Sequence, residues 1–333
     1  MTESPEPLQP WTNLGASARP QSLTAVASPT VTPNDPQYSS QWNLEKISAP
    51  QAWAVTTGST NVVVAVIDTG VNYKHEDLVA NMWRNPGETG LDANGNDKAT
   101  NGIDDDGNGY VDDVYGIDAR THSGDPIDTG GSLGFHGTGL AGVIGAVGNN
   151  GTGIAGINWT VKLMALAFHD GTMAEFLEAV DYVIAMKRRG VNVRVISNSQ
   201  YGGGNRRPLK DAVNAAGNEG ILTVFDASNN GYNNDVFSFD SPNSRWSISV
   251  TGSYFSDELL SYSDYGRSTV DLAAPLGVPS TSEGSTTFRP FQALRPPSRM
   301  WRAPLRFWRP RNPKPPGWRS RPPYGTEWTS APL

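Results

Sequence analysis

One stretch limits the folds open to this chain more than any other: Asn-Val-Val-Val-Ala-Val-Ile-Asp-Thr-Gly at 61–70. A continuous β-branched apolar run stopped by Asp-Thr-Gly is the pattern of a strand buried on both faces, which a parallel sheet covered by helices on each side provides. Apolar runs of the same kind recur at 161–168, 192–199, 221–228, 247–253 and 269–275. Between them lie segments with helical spacing: 135–148, rich in small residues; 173–190, amphipathic and closed by basic residues and Gly190; and 209–220. Strands alternating with helices in this way predict an α/β architecture with a doubly wound, mostly parallel sheet. Residues 85–113, dominated by Asn, Asp and Gly, are expected to be loop.

The ends of the chain have a different character. Residues 1–40 are rich in Pro, Ser and Thr without a sustained period and are expected to form an extended lead-in to a domain over 41–288. The net charge of −7 hides a second boundary. Residues 289–333 hold ten of the 26 Lys and Arg but only Glu327 of the 33 Asp and Glu, so two compositions are joined. Eleven Pro between Pro290 and Pro332 forbid a buried helix, and the Arg/Pro/Trp-rich segment 289–333 is expected to be disordered. That Pro density, with no helical period, also argues against a basic nucleic-acid or membrane arm, and the acidic body argues against nucleic acid. The absence of Cys excludes disulfides and thiolate metal sites. No apolar run approaches the roughly 18 residues needed to cross a bilayer. The start, Met-Thr-Glu-Ser-Pro-Glu-Pro, lacks the basic region and apolar core of a secretion signal.

Two residues carry candidate chemistry. Asp68 stands where the first buried strand ends, and open parallel sheets bind ligands at the carboxyl ends of their strands. His136, in Phe-His-Gly-Thr-Gly, opens a helix of residues small enough for close backbone approach. Separately, an Asp caps turns and a His packs helix starts. Together they fit a carboxylate that holds an imidazole in one tautomer so that it acts as general base toward a hydroxyl.

The segments 62–78, 136–146, 192–204 and 270–275, in this order and spacing, resemble the subtilisin-like serine proteases. The resemblance covers roughly 34–288 and implies a subtilisin-like fold and a serine endopeptidase working by an Asp-His-Ser triad. It makes Asp68 the orienting carboxylate and His136 the base. Ser199, Gln200, Tyr201, Gly202 and Gly203 resemble the strand edge that pairs with an extended peptide. The resemblance further implies a secreted monomer acting on protein or peptide substrates, with no nucleic-acid or membrane partner. One departure is Gly139, where the family usually has a second His. A second concerns the oxyanion Asn: Ala-Ala-Gly-Asn-Glu-Gly at 215–220 spells the family's usual signature, but it ends a helix. Asn229 follows the strand 221–228, where the oxyanion donor belongs, so strand topology favours Asn229 over Asn218.

In the loop 99–116 the residues Asp104, Asp106 and Asn108 alternate, Gly109 permits a sharp turn, and the Tyr110 carbonyl and Asp112 can close an oxygen cage. The spacing resembles the first part of an EF-hand loop and predicts structural Ca²⁺; a solvated acidic turn is the alternative.

The family's nucleophile lies in Gly-Thr-Ser at the start of an apolar helix, soon after the segment matched by 270–275. No Gly-Thr-Ser occurs here, and the family-like text stops after Thr287. A permitted choice of codons for Gln292 to Trp308, read from the third base, gives Gly-Thr-Ser-Pro-Ala-Ile-Ala-His-Val-Ala-Gly-Ala-Val-Ala-Leu-Leu. That resembles the family's serine helix and implies a frameshift near Phe291, with the lost Ser straddling Leu294 and Arg295. The chain as written then lacks its nucleophile. A non-catalytic protein that keeps the peptide groove is the other possibility.

Overall fold

The computed structural model describes residues 29–130, 134–168, 172–199, 206–236, 244–284 and 288–291. In chain order the elements are α1 (Trp42–Lys46), α2 (Ala49–Trp53), β1 (Gly58–Asp68), β2 (Gly116–Asp118), α3 (His136–Gly145), β3 (Thr160–Ala167), α4 (Met173–Arg188), β4 (Val193–Asn198), α5 (Arg206–Asn218), β5 (Leu222–Asp226), β6 (Ser247–Ser253), β7 (Leu272–Pro275), β8 (Val278–Thr281) and β9 (Phe288–Phe291). Seven strands form one sheet in the order β2-β3-β1-β4-β5-β6-β7, every pair parallel, while β8 and β9 make an antiparallel pair. The doubly wound parallel sheet expected from the apolar runs is therefore the fold, with the first run as an interior strand between β3 and β4.

Residues along β1 alternate between two cores. Val63, Ala65 and Ile67 face one core with Phe176, Val180 and Val183 of α4 and Leu209, Val213 and Ala216 of α5. Val64 and Val66 face another with Ala141 of α3 and Leu163 and Ala165 of β3. Period-two alternation thus fixes which helix each β1 side chain meets. It also assigns Asp68, at the carboxyl end, to the face on which α3 packs.

Local chemistry sets the helix limits. Thr172 accepts from the Glu175 amide at 3.3 Å and donates to the Glu175 carboxylate at 3.0 Å, a capping arrangement that starts α4. Lys187 and Arg188 in its last turn suit the negative end of the helix dipole. In α3 the glycines are needed for contact. A Cβ on Gly137 would lie 2.2 Å from the Gly70 carbonyl oxygen, and one on Gly142 would lie 2.4 Å from Thr281 Oγ1. The helix accordingly sits directly on the end of β1 and on β8.

Of the expected lead-in, residues 1–28 lie outside the described residues, and the part from Val31 onward contacts the domain. The Val31 amide donates to the Pro50 carbonyl at 3.0 Å and the Gln37 amide to the Gly153 carbonyl at 2.8 Å. Asp35 accepts from the Asn149 amide at 2.7 Å, and Tyr38 packs on Trp53. These are scattered backbone and short polar contacts with no period, so the sequence pattern carries no trace of them. At the other end β9 continues its pairing with β8 to Phe291, past the boundary expected at residue 288.

Candidate functional site

Asp68 is fully buried at the end of β1, and His136 is 7% exposed at the start of α3. The two meet: His136 Nδ1 lies 2.8 Å from Asp68 Oδ1, which also accepts from the Thr69 amide at 2.8 Å. Burial opposes a charge on the imidazole, but the Asp68 carboxylate beside it, with Asp226 and Asp128 further off, outweighs this and raises the His136 pKa above its ordinary value.

A support absent from the sequence expectations holds the pair together. Asp128 Oδ2 accepts from Thr69 Oγ1 at 3.1 Å, from the Thr138 amide at 3.2 Å and from Thr138 Oγ1 at 2.8 Å. The Gly137 amide donates to Thr69 Oγ1 at 2.9 Å. One buried carboxylate thus ties the residue after Asp68 to the residue two past His136. The only local signal is a second Asp-Thr-Gly at 128–130, which has no strand before it in the pattern.

Asn229 follows β5 and is partly buried, while Asn218 is the last residue of α5. Register puts these ends at one level: Ile67 pairs with Asn198, and Asn198 with Phe225. Asp68, Ser199 and Asp226 therefore lie side by side along the carboxyl edge, with Asn229 in the loop beyond. Ser199 is partly buried. Gln200, Tyr201, Gly202 and Gly203 lie outside the described residues.

The acidic loop uses its oxygens in two ways. Asp104 accepts from the Asn108 amide at 3.0 Å and the Gly109 amide at 2.8 Å, Asn108 from the Tyr110 amide at 2.8 Å, and Asp112 from the Gly102 amide at 3.2 Å. These contacts shape turns. The carboxylates that converge are Glu88, Asp106 and Asp113, with one oxygen from each within 4.8 Å of the others. Of the five expected ligands, Asp106 belongs to this group. Glu88 Oε1 accepts from the Asp105 and Asp106 amides at 2.8 and 3.1 Å, while the buried Oε2 has no hydrogen-bond partner among the described residues. Asn85 donates to Asp106 at 3.0 Å and to Asp113 at 2.8 Å, and Arg189 lies 3.0 Å from Asp106. Burial raises the pKa of Glu88, and that of Asp113 to about 6. Glu88 escaped the sequence expectation because it stands eleven residues before the loop 99–116, outside its alternating acidic pattern.

The sequence profile of the subtilase family matches residues 59–294. Thermitase of Thermoactinomyces vulgaris is 33% identical over 249 residues, 73% of this chain and 73% of that protein. The thermophilic serine proteinase of Bacillus sp. (strain AK1) is 31% identical over 260 residues, 76% of this chain and 54% of that protein. Subtilisin-like protease 1 of Plasmodium berghei is 31% identical over 165 residues, 48% of this chain and 26% of that protein. The chain thus spans between a quarter and about half of the latter two relatives. Among solved structures, a protease of Pseudoalteromonas arctica PAMC 21717 has a TM-score of 0.58 at 23% identity, over 79% of this chain and 82% of that one, which is a likeness of fold.

Proposed function

The chain belongs to the subtilase family, and from that membership we propose that it is a serine-type endopeptidase whose nucleophile is missing from this chain. The contact of 2.8 Å between His136 Nδ1 and Asp68 Oδ1 carries the proposal. With Nδ1 facing Asp68, Nε2 takes the proton of a serine hydroxyl as it attacks a peptide carbonyl, and later returns it to the leaving amine. Asp68 keeps the ring in that tautomer and stabilises the imidazolium that forms. The Asn229 side-chain amide is the donor to the oxyanion, and the edge Ser199–Gly203 pairs with the extended substrate. Protein and peptide substrates follow, as does an extracellular location. The location is supported by the halolysin-like extracellular serine protease of Natrialba magadii, 31% identical over 153 residues, 45% of this chain and 23% of that protein.

The serine was lost through a change of reading frame near Phe291. Two points support this: the family match ends at residue 294, where the serine should begin its helix, and a permitted choice of codons, read in the shifted frame, spells Gly-Thr-Ser and an apolar helix. Sequencing the gene, and assaying a frame-restored chain on a chromogenic peptide, tests both statements. The restored chain is expected to turn over and to react with a fluorophosphonate; the chain as written is expected to do neither. A restored chain without activity, or labelling of the written chain that depends on His136, overturns the proposal.

A structural Ca²⁺ belongs to the same proposal. Glu88, Asp106 and Asp113 would hold it, with oxygens of Asn108 and the Tyr110 carbonyl from the same loop, while Asp104 and Asp112 shape the turn. Three converging carboxylates, of which Glu88 and Asp113 are buried against their ionisation and Glu88 has an oxygen with no hydrogen-bond partner among the described residues, are the donor set that a hard divalent cation stabilises.

A further inference from the structure

We propose that Asp264 is the positioning residue of the oxyanion loop, gripping through its own backbone and its carboxylate both peptide groups that flank Asn229. The inference rests on the peptidase assignment of Asn229. The Asp264 amide donates to the Ser228 carbonyl at 2.9 Å, which holds the peptide group between Ser228 and Asn229. Asp264 Oδ1 accepts from the Asn230 amide at 2.8 Å, which holds the peptide group between Asn229 and Asn230. Peptide groups are planar, so fixing the two that meet at one Cα fixes both soft dihedrals of that residue. One residue therefore sets the backbone from which the Asn229 amide is aimed.

Asp264 is in turn tied to the sheet. Its carbonyl accepts from Thr251 Oγ1 of β6 at 2.7 Å, and its carboxylate also accepts from the Tyr232 amide at 2.9 Å. Further along, the Gly231 amide donates to the Tyr262 carbonyl at 2.8 Å and the Tyr265 amide to the Tyr232 carbonyl at 2.9 Å. The loop after β5 is thus registered against β6 through the segment 261–265. Asp264 is fully buried, and burial of a carboxylate opposes its ionisation. An apolar side chain would be easier to bury there; what the carboxylate adds is a single oxygen that accepts from two loop amides. An oxyanion donor acts only if it is held before the charge develops, and a displacement of about 1 Å at such a site costs on the order of 100-fold in rate.

The test uses the frame-restored full chain and a double-mutant cycle with Asn229→Ala. Asp264→Ala is expected to lower kcat by about 10- to 100-fold with little change in KM, and Asp264→Asn, which keeps an acceptor oxygen, to retain most of the activity. In the Asn229→Ala background the same Asp264→Ala change is expected to cost less than about twofold, because the group it positions is already gone. An equal cost in both backgrounds overturns the inference and leaves the peptidase assignment standing, whereas an inactive parent chain overturns the assignment itself. Should Asp264→Ala fail to fold, Asp264→Ser takes its place in the cycle. In the chain as written, amide exchange at Asn230 and Tyr232 is expected to accelerate at least about tenfold in the alanine or serine variant and to stay close to the parent in the asparagine variant. Unchanged protection in the alanine or serine variant overturns the inference as well.

Discussion

The two faces of the seven-stranded sheet are finished to different degrees. On one face α4 and α5 cover the central strands, and Ile67, Ile196, Phe225 and their neighbours are buried among helix side chains. On the other, α3 packs against β1 and β3. There β4, β5 and β6 present Val195, Val224 and Val250 only partly buried, and Leu272 of β7 is 41% exposed. Central strands of a parallel sheet are ordinarily buried on both sides. This less buried half lies beside the loop that carries Asn229. The contrast teaches that the contact between Asp68 and His136 is made where the sheet is packed on both faces.

Restoring the reading frame is the strongest way to erase the difference. Activity on a chromogenic peptide should rise by about 10⁶ over the written chain, the usual cost of removing a subtilase nucleophile. A rise in melting temperature should accompany it; activity without greater stability would mean that the less buried half gains no cover from the restored helix.

Substitutions on adjacent residues of β5 measure the two faces within one strand. In the written chain Phe225→Ala should cost about 3–5 kcal/mol, while Val224→Ala should cost about 1 kcal/mol or less, because its side chain is only partly buried. Urea melts read both values. Equal costs would sink the comparison; a greater cost of Val224→Ala after frame repair would sharpen it.

In the repaired enzyme Asn229→Ala should lower kcat by about 10²–10³, and Asn218→Ala far less, since one leaves the sheet edge and the other ends α5. The reverse order would reassign the oxyanion donor.

The acidic loop adjoins the covered face: Tyr182 and Arg189, in and just after α4, contact Asp113 and Asp106. Calcium at a hundredfold excess over Kd should therefore add about 2.7 kcal/mol of stability in written and repaired chains alike. A melting midpoint that does not move between calcium and chelator, in a folded sample, would leave the cluster an ordinary acidic turn.

The smallest effect concerns the dyad. A raised His136 pKa stabilises the fold at pH values below the unfolded-state pKa, and that contribution fades as pH rises through the folded-state value. Peptidase activity needs the neutral ring, so its acid limb should lie above the ordinary value of 6.5. Asp68→Asn should move the His136 titration downward, by about 1.4 kcal/mol for each pH unit, as followed by NMR in the written chain. An upward or absent movement would separate the histidine from its partner.

The sheet and the dyad were legible because their signals are local. The run at 61–70 states its own burial, the spacing in 173–190 states its own period, and Asp68 and His136 each stand at a recognisable element end. What escaped depends on partners distant in sequence. Asp128 gains meaning only beside Thr69 and Thr138, Asp264 only beneath the loop after β5, and Glu88 only against Asp106 and Asp113. None of the three has a periodic neighbourhood, since each bonds to backbone amides of loops whose path the fold decides. Asp104 and Asp112 drew attention through their spacing, which in the structure serves the turns themselves.

The bare glycine faces of α3 have a consequence for mutational tolerance. Gly137 and Gly142 face backbone and side-chain atoms of Gly70 and Thr281 with no room for a single added carbon. A saturation scan across this helix should therefore resemble a sieve, passing changes at the partly buried Leu140 and rejecting even alanine at both glycines. Helix propensity favours alanine over glycine by about 1 kcal/mol, so steric exclusion must override it at each position. The helix that carries His136 is thus held to small residues by contact alone, whatever the chemistry at its start.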